Sequence, residues 1–272
     1  VSVGPSAIGV VVVAAGSGDR LGASVPKALV RLHGRSLLAH TLLGLAAAGL
    51  PPAVVVHTPG QRAAFAAATD GLPVAAMVPG GATRTQSVAA GVAALAGVTD
   101  HTVEVVVVHD AARPLTPPPV IAAAVRAVRA DAAVLAAAPG IPVADTLKRT
   151  AGGGGPVTDR EVVGTVDRTG LVGIQTPQVF PSGVLRRALA AVPEGHEVTD
   201  DLALVEQLQA AGDLQGRIVV VPGSVWARKV TYPADLALLE LLATHADPAA
   251  LDPDPGEGSG SPRSGDDAGG TR

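Results

Sequence analysis

The chain has 272 residues, 47% of them hydrophobic but only 1% aromatic, so the length allows one large α/β domain or two small ones and the core has to be built from Val, Leu, Ile and Ala. The formal net charge of −4 lacks the basic surplus of a nucleic-acid binder, and the absence of cysteine excludes disulfides and thiolate metal sites and fits a reducing cytoplasm. The longest aliphatic runs, such as Val10–Val13 and Val105–Val108, are too short to cross a bilayer, and the N-terminus shows no leader pattern, so the expectation is a cytoplasmic protein without a membrane partner.

Strand and helix signals alternate along the first half. Ile8–Val13 reads as a buried strand, and Ser36–Gly49 as a helix with Leu37, Leu38, Thr41, Leu42 and Leu45 on one face. Ala53–His57 is a second strand, Gln61–Ala68 a helix and Val74–Val78 a third strand. Thr85–Leu95 is helical, Val103–His109 a fourth strand, Pro118–Arg129 a helix and Ala132–Ala138 a fifth strand. This order predicts an α/β fold, a mostly parallel sheet with helices on both faces. Right-handed crossovers then bring the strand ends at Val13, His57, Val78 and Asp110 to one edge.

After Pro139 the pattern changes. Val143–Thr150 and Glu161–Arg168 read as extended, separated by a glycine-rich tip, and so as a long β-arm over residues 143–168. An isolated ribbon is marginal in water, so the arm is expected to pack on something else. Ser182–Ala191, Thr199–Ala211 and Pro233–Thr244 read as helices and Ile218–Pro222 as a strand, with Asp235 suited to the last helix's dipole. Residues 1–246 are read as one domain. The tail, residues 247–272, is rich in Asp, Pro, Gly and Ser, and is expected to be disordered.

Four groups of residues carry chemistry. Ala14-Ala15-Gly16-Ser17-Gly18-Asp19-Arg20 follows the first strand, with Lys27 seven residues beyond Arg20. Strand-end glycine loops present backbone N–H groups to phosphates, and the two cations suit a polyphosphate. Leu21 stands where a dinucleotide fingerprint needs glycine, and no Gly-Lys-Ser/Thr occurs, so neither a dinucleotide fold nor a P-loop is read here. The second group, Gly80-Gly81-Ala82-Thr83-Arg84, precedes a helix. It reads equally as a capped turn or as an approach for a base or phosphate, with Arg84 a phosphate-binding or structural cation. In the third, His109-Asp110-Ala111-Ala112-Arg113, Asp110 suits a divalent cation or a ribose hydroxyl. The plainer reading is an Asp110–Arg113 surface pair, and His109 reads as a scaffold residue rather than a base. The fourth group is dispersed: Asp145-Thr146-Leu147-Lys148, Asp167-Arg168, Gln175-Thr176-Pro177-Gln178, Thr199-Asp200-Asp201 and Lys229-Val230-Thr231.

Taken together and in this order, these motifs resemble those of the 2-C-methyl-D-erythritol 4-phosphate cytidylyltransferases, from about Ile8 to about Thr244. The resemblance implies a Rossmann-like nucleotidyltransferase fold and a homodimer in which the β-arm completes the neighbour's site. It implies transfer of a cytidylyl group from CTP to 2-C-methyl-D-erythritol 4-phosphate in non-mevalonate isoprenoid precursor biosynthesis. It assigns Arg20, Lys27 and Lys229 to the triphosphate as catalytic cations. Ala14, Ala15, Gly16, Gly81 and Ser87 fall to the cytidine pocket, and Asp110 to both nucleotide and acceptor. Thr146 and Arg168 of the partner's arm, with Thr176 and Thr199, fall to the acceptor. Mg²⁺ is expected mainly on the CTP phosphates, with no protein metal-ligand set. Other readings are a D-ribitol 5-phosphate cytidylyltransferase, a guanylyl- or uridylyltransferase, and a non-catalytic nucleotide-binding regulator on the same fold. Two departures stand out: Ala82, where many relatives are polar or acidic, and Trp226-Ala227-Arg228 before Lys229, where they often have Asp-Asn-Ile.

Overall fold

A computed structural model describes residues 8–98, 102–152, 159–193 and 198–245; the expected tail and the tip of the expected arm lie outside them. Strands β1 (Ile8–Val13), β2 (Arg31–Leu32) and β3 (Arg35–Ser36) lead into helix α1 (Leu37–Ala47). There follow β4 (Ala53–His57), α2 (Arg62–Ala68), β5 (Val74–Pro79), α3 (Arg84–Ala94), β6 (Val105–Asp110), α4 (Pro118–Ala130) and β7 (Val134–Pro142). The second half contains β8 (Leu147–Thr150), β9 (Val162–Val166), β10 (Val172–Ile174), β11 (Gln178–Pro181), α5 (Ser182–Ala190), α6 (Leu202–Ala210), β12 (Arg217–Pro222) and α7 (Pro233–His245).

The main sheet runs β10-β7-β11-β6-β1-β4-β5, and β12 also pairs with β7. β1 is parallel to β4 and β6, β4 to β5, and β7 to β12; β10 and β11 run against their neighbours. β1 is valine-rich on both sides because both sides are covered. Val10 and Val12 pack with Leu38, Leu42, Phe65, Ile121 and Val125. Val11 packs with Val54, Val56, Val88, Leu185, Leu204 and Val205 on the other face. Helices α1, α2 and α4 thus cover one face, and α3, α5 and α6 the other. Gly91 lets α3 approach the sheet closely: a Cβ there would meet Val56 Cγ2 at 2.8 Å and also collide with Val11. Ser36 caps α1 by accepting from Ala39 N–H at 3.1 Å.

Parallel register aligns the strand ends, with Val13 opposite Asp110 and Val56, and His57 opposite Pro79. The expected edge is therefore formed. Several expectations need correction. The fifth strand does not stop at Ala138 but continues through Pro139 to Pro142, because β10 and β12 both pair with its far end. β2, β3, β10 and β11 were not expected at all. The last two are short, β10 with a central glycine and β11 bounded by Pro177 and Pro181, and they gain strand geometry from pairing with β7 and β6. The helix expected from Thr199 begins at Leu202. Residues 199–201 form its entry turn, with Asp200 Oδ1 accepting from Ala203 N–H at 3.1 Å. β8 and β9 form a separate antiparallel ribbon. Among the described residues, no helix is long and apolar enough to cross a membrane.

Candidate functional site

A cavity of about 540 Å³ opens at the carboxyl ends of β1 and β6. It is lined by residues 13–20, Lys27, Ala28, Gly81–Arg84, Ser87, Asp110–Ala112, Lys229 and Thr231. The loop after β1 turns through Gly18 at φ +79°, where a side chain would also strike Lys27 Cβ at 2.7 Å. That contact seats the Lys27 turn against the loop. Arg20 and Lys27 each lie in a short 3₁₀ turn, Asp19–Leu21 and Lys27–Leu29. Leu21 anchors the first by burial with Val230 and Leu239.

The second wall is the entry to α3. Gly80 N–H donates to His57 O at 2.8 Å. Its missing side chain admits Ala15 and Ser87, since a Cβ would meet them at 2.5 and 2.9 Å. Thr83 and Gln86 form a reciprocal capping box. Gln86 Oε1 accepts from Ala82 N–H at 2.8 Å and from Thr83 N–H at 3.2 Å. Ser87 Oγ accepts from Gly81 N–H at 3.1 Å and donates to Thr83 O at 3.0 Å. The capped turn is thus also a cavity wall.

The floor is Asp110. Its Oδ1 receives Arg84 Nη2 at 3.2 Å and its Oδ2 receives Lys229 Nζ at 2.7 Å. Burial works against the charged form, but Arg84, Lys229 and Arg113 outweigh it and hold the carboxyl far below the usual range. The plainer alternative, an Asp110–Arg113 surface pair, is not what forms. Arg113 turns away to donate to Ala227 O at 2.6 Å and Ile174 O at 3.4 Å, and Asp110 is buried rather than superficial. Arg84 also reaches Asp201 Oδ1 at 2.7 Å. Burial raises the pKa of Asp201 despite that partner. The Lys27 ammonium lies below its ordinary pKa, first through burial and then through Lys229 and Arg20, with Asp110 opposing.

Behind the floor, burial lowers the pKa of His109 to about 4, so its ring is neutral. Thr176 Oγ1 accepts from Asp110 N–H at 3.1 Å and lies 2.7 Å from His109 Nδ1. These contacts make His109 a hydrogen-bonded scaffold residue. The Gln175-Thr176-Pro177-Gln178 motif acts as a bracket. Gln175 exchanges hydrogen bonds with Ser224 at 2.7 and 3.1 Å. Gln178 accepts from Asp201 and Leu202 N–H at 3.0 and 3.2 Å and donates to Asp200 at 3.0 Å.

Of the residues singled out in the sequence, Ala14, Ala15, Gly16, Arg20, Lys27, Gly81, Ser87, Asp110 and Lys229 line this one cavity. Thr176 is buried behind it. Thr199 is exposed beside the Asp200–Asp201 turn, and Thr146 and Arg168 are exposed at the base of the β8–β9 ribbon. None of these four lines the cavity of its own chain. In the sequence Asp201 is named without a role, Tyr232 is not singled out, and Asp235 reads as a helix-dipole residue. Asp201 anchors Arg84, while Tyr232 and Asp235 hold cationic residues at the rim. Their signal was weak: a second carboxylate after Asp200, and an aspartate in the first turn of a helix.

The lining carries four cations, Arg20, Lys27, Arg84 and Lys229, against two carboxylates, Asp19 and Asp110, with Asp201 behind Arg84 as a third. The cavity is therefore built for a polyanion beside backbone N–H groups. Among the described residues there is no cluster of three or more His, Asp or Glu able to hold a metal by itself.

The model of one protein family, IspD: 2-C-methyl-D-erythritol 4-phosphate cytidylyltransferase, matches residues 8–245. A bifunctional enzyme IspD/IspF from Clavibacter michiganensis is 46% identical over 94% of this chain, which spans 57% of that relative's length. A 2-C-methyl-D-erythritol 4-phosphate cytidylyltransferase from Saccharopolyspora erythraea is 43% identical, over 84% of this chain and 96% of the relative. The crystal structure of the corresponding Thermus thermophilus enzyme superposes with a TM-score of 0.66 at 34% identity, covering 86% of this chain and 98% of that one.

Proposed function

This chain belongs to the 2-C-methyl-D-erythritol 4-phosphate cytidylyltransferase family, and on that premise we propose that it transfers the cytidylyl group of CTP to 2-C-methyl-D-erythritol 4-phosphate in isoprenoid precursor biosynthesis. The observation that carries the reading is the cluster of Arg20, Lys27 and Lys229 around a glycine loop, beside the buried carboxylate of Asp110.

A phosphate oxygen of the acceptor attacks the α-phosphorus of CTP in line. The bond from that phosphorus to the bridging oxygen breaks, and pyrophosphate leaves with the electron pair. A phosphate monoester is already ionised near neutral pH, so no strong base is needed. That agrees with a neutral His109 committed behind the floor. The protein's part is positioning and charge stabilisation. Ala14, Ala15, Gly16, Gly81 and Ser87 take the cytidine end, with Ala82 leaving base choice to backbone groups and Ser87. Arg20, Lys27 and Lys229 take the phosphates, and Asp110 lies between nucleotide and acceptor. The donor set fits Mg²⁺ held mainly by the nucleotide's phosphates, because both Asp110 oxygens already carry cationic partners. When bound there, Mg²⁺ offsets triphosphate charge.

The acceptor side needs groups that one chain does not bring to the cavity. Thr146 and Arg168 stand on an exposed ribbon whose Val162 and Val163 are more than half exposed. This supports a homodimer in which each ribbon reaches its partner's site, with Thr199 at the acceptor end; Thr176, expected there too, is buried behind Asp110 with its hydroxyl committed to Asp110 N–H and His109, and so supports the floor rather than touching the acceptor. A CTP-dependent step belongs where CTP is made, so the cytoplasm is the proposed setting.

The test is pyrophosphate release from CTP and Mg²⁺ with either 2-C-methyl-D-erythritol 4-phosphate or D-ribitol 5-phosphate as acceptor. Preference for the first is expected. Preference for the second keeps the chemistry and moves the pathway, and no release with either overturns the reading.

A further inference from the structure

We propose that Asp235 is a positioning residue for the cationic half of the cavity: its buried carboxylate fixes the Arg228–Tyr232 segment, so that Lys229 faces the phosphates and the Tyr232 ring holds Arg20. The proposal rests on reading the cavity as a triphosphate site.

Asp235 lies in the first turn of α7 and is 6% exposed. Its Oδ1 accepts from Arg228 Nε at 2.7 Å. Its Oδ2 accepts from the backbone N–H groups of Thr231 and Tyr232 at 2.9 and 2.8 Å. Asp235 N–H donates in turn to Tyr232 O at 3.0 Å. One carboxylate therefore closes residues 228 to 235 into a ring of contacts. Burial opposes its charge, but the donors hold its pKa below the usual carboxylate value.

Lys229 sits inside that ring. The next residue, Val230, is fully buried and donates its N–H to Ala112 O at 2.8 Å. With Arg228 and Thr231 tied on either side, the Lys229 backbone is held where its ammonium reaches Asp110 Oδ2 at 2.7 Å. A flexible lysine is thereby pre-organised, which lowers the entropy lost when a phosphate binds.

Tyr232 carries the second consequence. Its ring is 53% exposed, so core packing does not explain its placement. Arg20 Cζ stands 5.9 Å from the ring centroid, within cation–π range. Stacking on the ring leaves the guanidinium's N–H edge available to a phosphate. Arg228, a departure noted in the sequence, is thus drawn to Asp235 rather than to the anion cavity, and it belongs to the same device.

A helix cap alone predicts lost stability without coupling to distant cations. The test measures binding of inorganic pyrophosphate to the full chain by calorimetry, in double-mutant cycles with melting temperatures as control. Asp235→Ala is expected to weaken binding roughly tenfold in the parent, about threefold when Lys229→Ala is already present, and less than about twofold when Lys229→Ala and Arg20→Ala are both present. Asp235→Asn, which keeps an acceptor but loses the charge, gives a smaller loss. Tyr232→Ala is expected to weaken binding about threefold and to be silent beside Arg20→Ala, while Tyr232→Phe, which keeps the ring, restores it. Equal losses in every background, or none in the parent, overturn the assignment. If Asp235→Ala fails to fold, Asp235→Asn in the same backgrounds decides, its loss again shrinking when Lys229→Ala is present. Failure of the unmutated chain to bind pyrophosphate overturns the triphosphate reading itself, and this assignment with it.

Discussion

Lys27 is half-way between two environments: partly buried, repelled by Lys229 and Arg20, and drawn by Asp110. On the proposed function it is placed beside the phosphates whose charge grows during reaction, and a cation so placed acts more on the transition state than on the ground state. Lys27→Ala is therefore expected to lower kcat by about 10²–10³-fold with a smaller rise in KM for CTP. Steady-state kinetics check this, and an effect confined to KM would make Lys27 a simple binding residue. His109 supplies a second prediction. Its folded pKa of about 4 lies below the ordinary 6.5, so between those values the unfolded chain binds the extra proton and stability falls as pH falls. From this group alone the loss between pH 7 and pH 5 is about 2 kcal/mol. Denaturant titrations at the two pH values should show that slope, and His109→Asn should remove it. At this scale the sequence was informative where a residue type has one use near a strand end, as with Asp110 and Lys27. It was ambiguous for Arg84, whose two partners at 110 and 201 are distant along the chain.

Among the elements, β1 and β6 were legible because long valine runs have few alternatives to a buried parallel strand. β11 was not, since Gln178-Val179-Phe180-Pro181 becomes a strand only by pairing with β6 and touching β7. The β8–β9 ribbon was legible from its spacing, but what it packs against is not written in its own residues. Arg168 stands at its base, with Nη1 3.5 Å from Val143 O, a weak tether that leaves the guanidinium available. Arg168→Ala is expected to raise KM for the acceptor by about tenfold or more, as loss of a charged contact to a phosphate does, with CTP affinity within about twofold. A CTP defect of equal size would remove the ribbon from the acceptor site.

For the whole molecule, the ribbon's reach sets a subunit question with a direct answer. In a dimer with exchanged arms, a Lys27→Ala subunit still lends an intact arm, and an Arg168→Ala subunit still offers intact cations. Mixing the two weak variants should then restore about a quarter of full activity: half of randomly assorted dimers are mixed, and each has one intact site. Activity no greater than the sum of the separate variants would mean that each arm serves its own chain or none.

The parallel sheet has a consequence for the chain's life before it is complete. Ile8 pairs with Val105, about a hundred residues later, and such distant pairings form slowly. The cavity then draws on residues from Val13 to Thr231, and the carboxylate that steadies its last lysine is at 235. A ribosome must therefore release nearly the whole chain described here before the cavity is complete. On the proposed function, a growing polypeptide reaches its full affinity for CTP only late in its synthesis, and that gain reports that both ends of the fold have met.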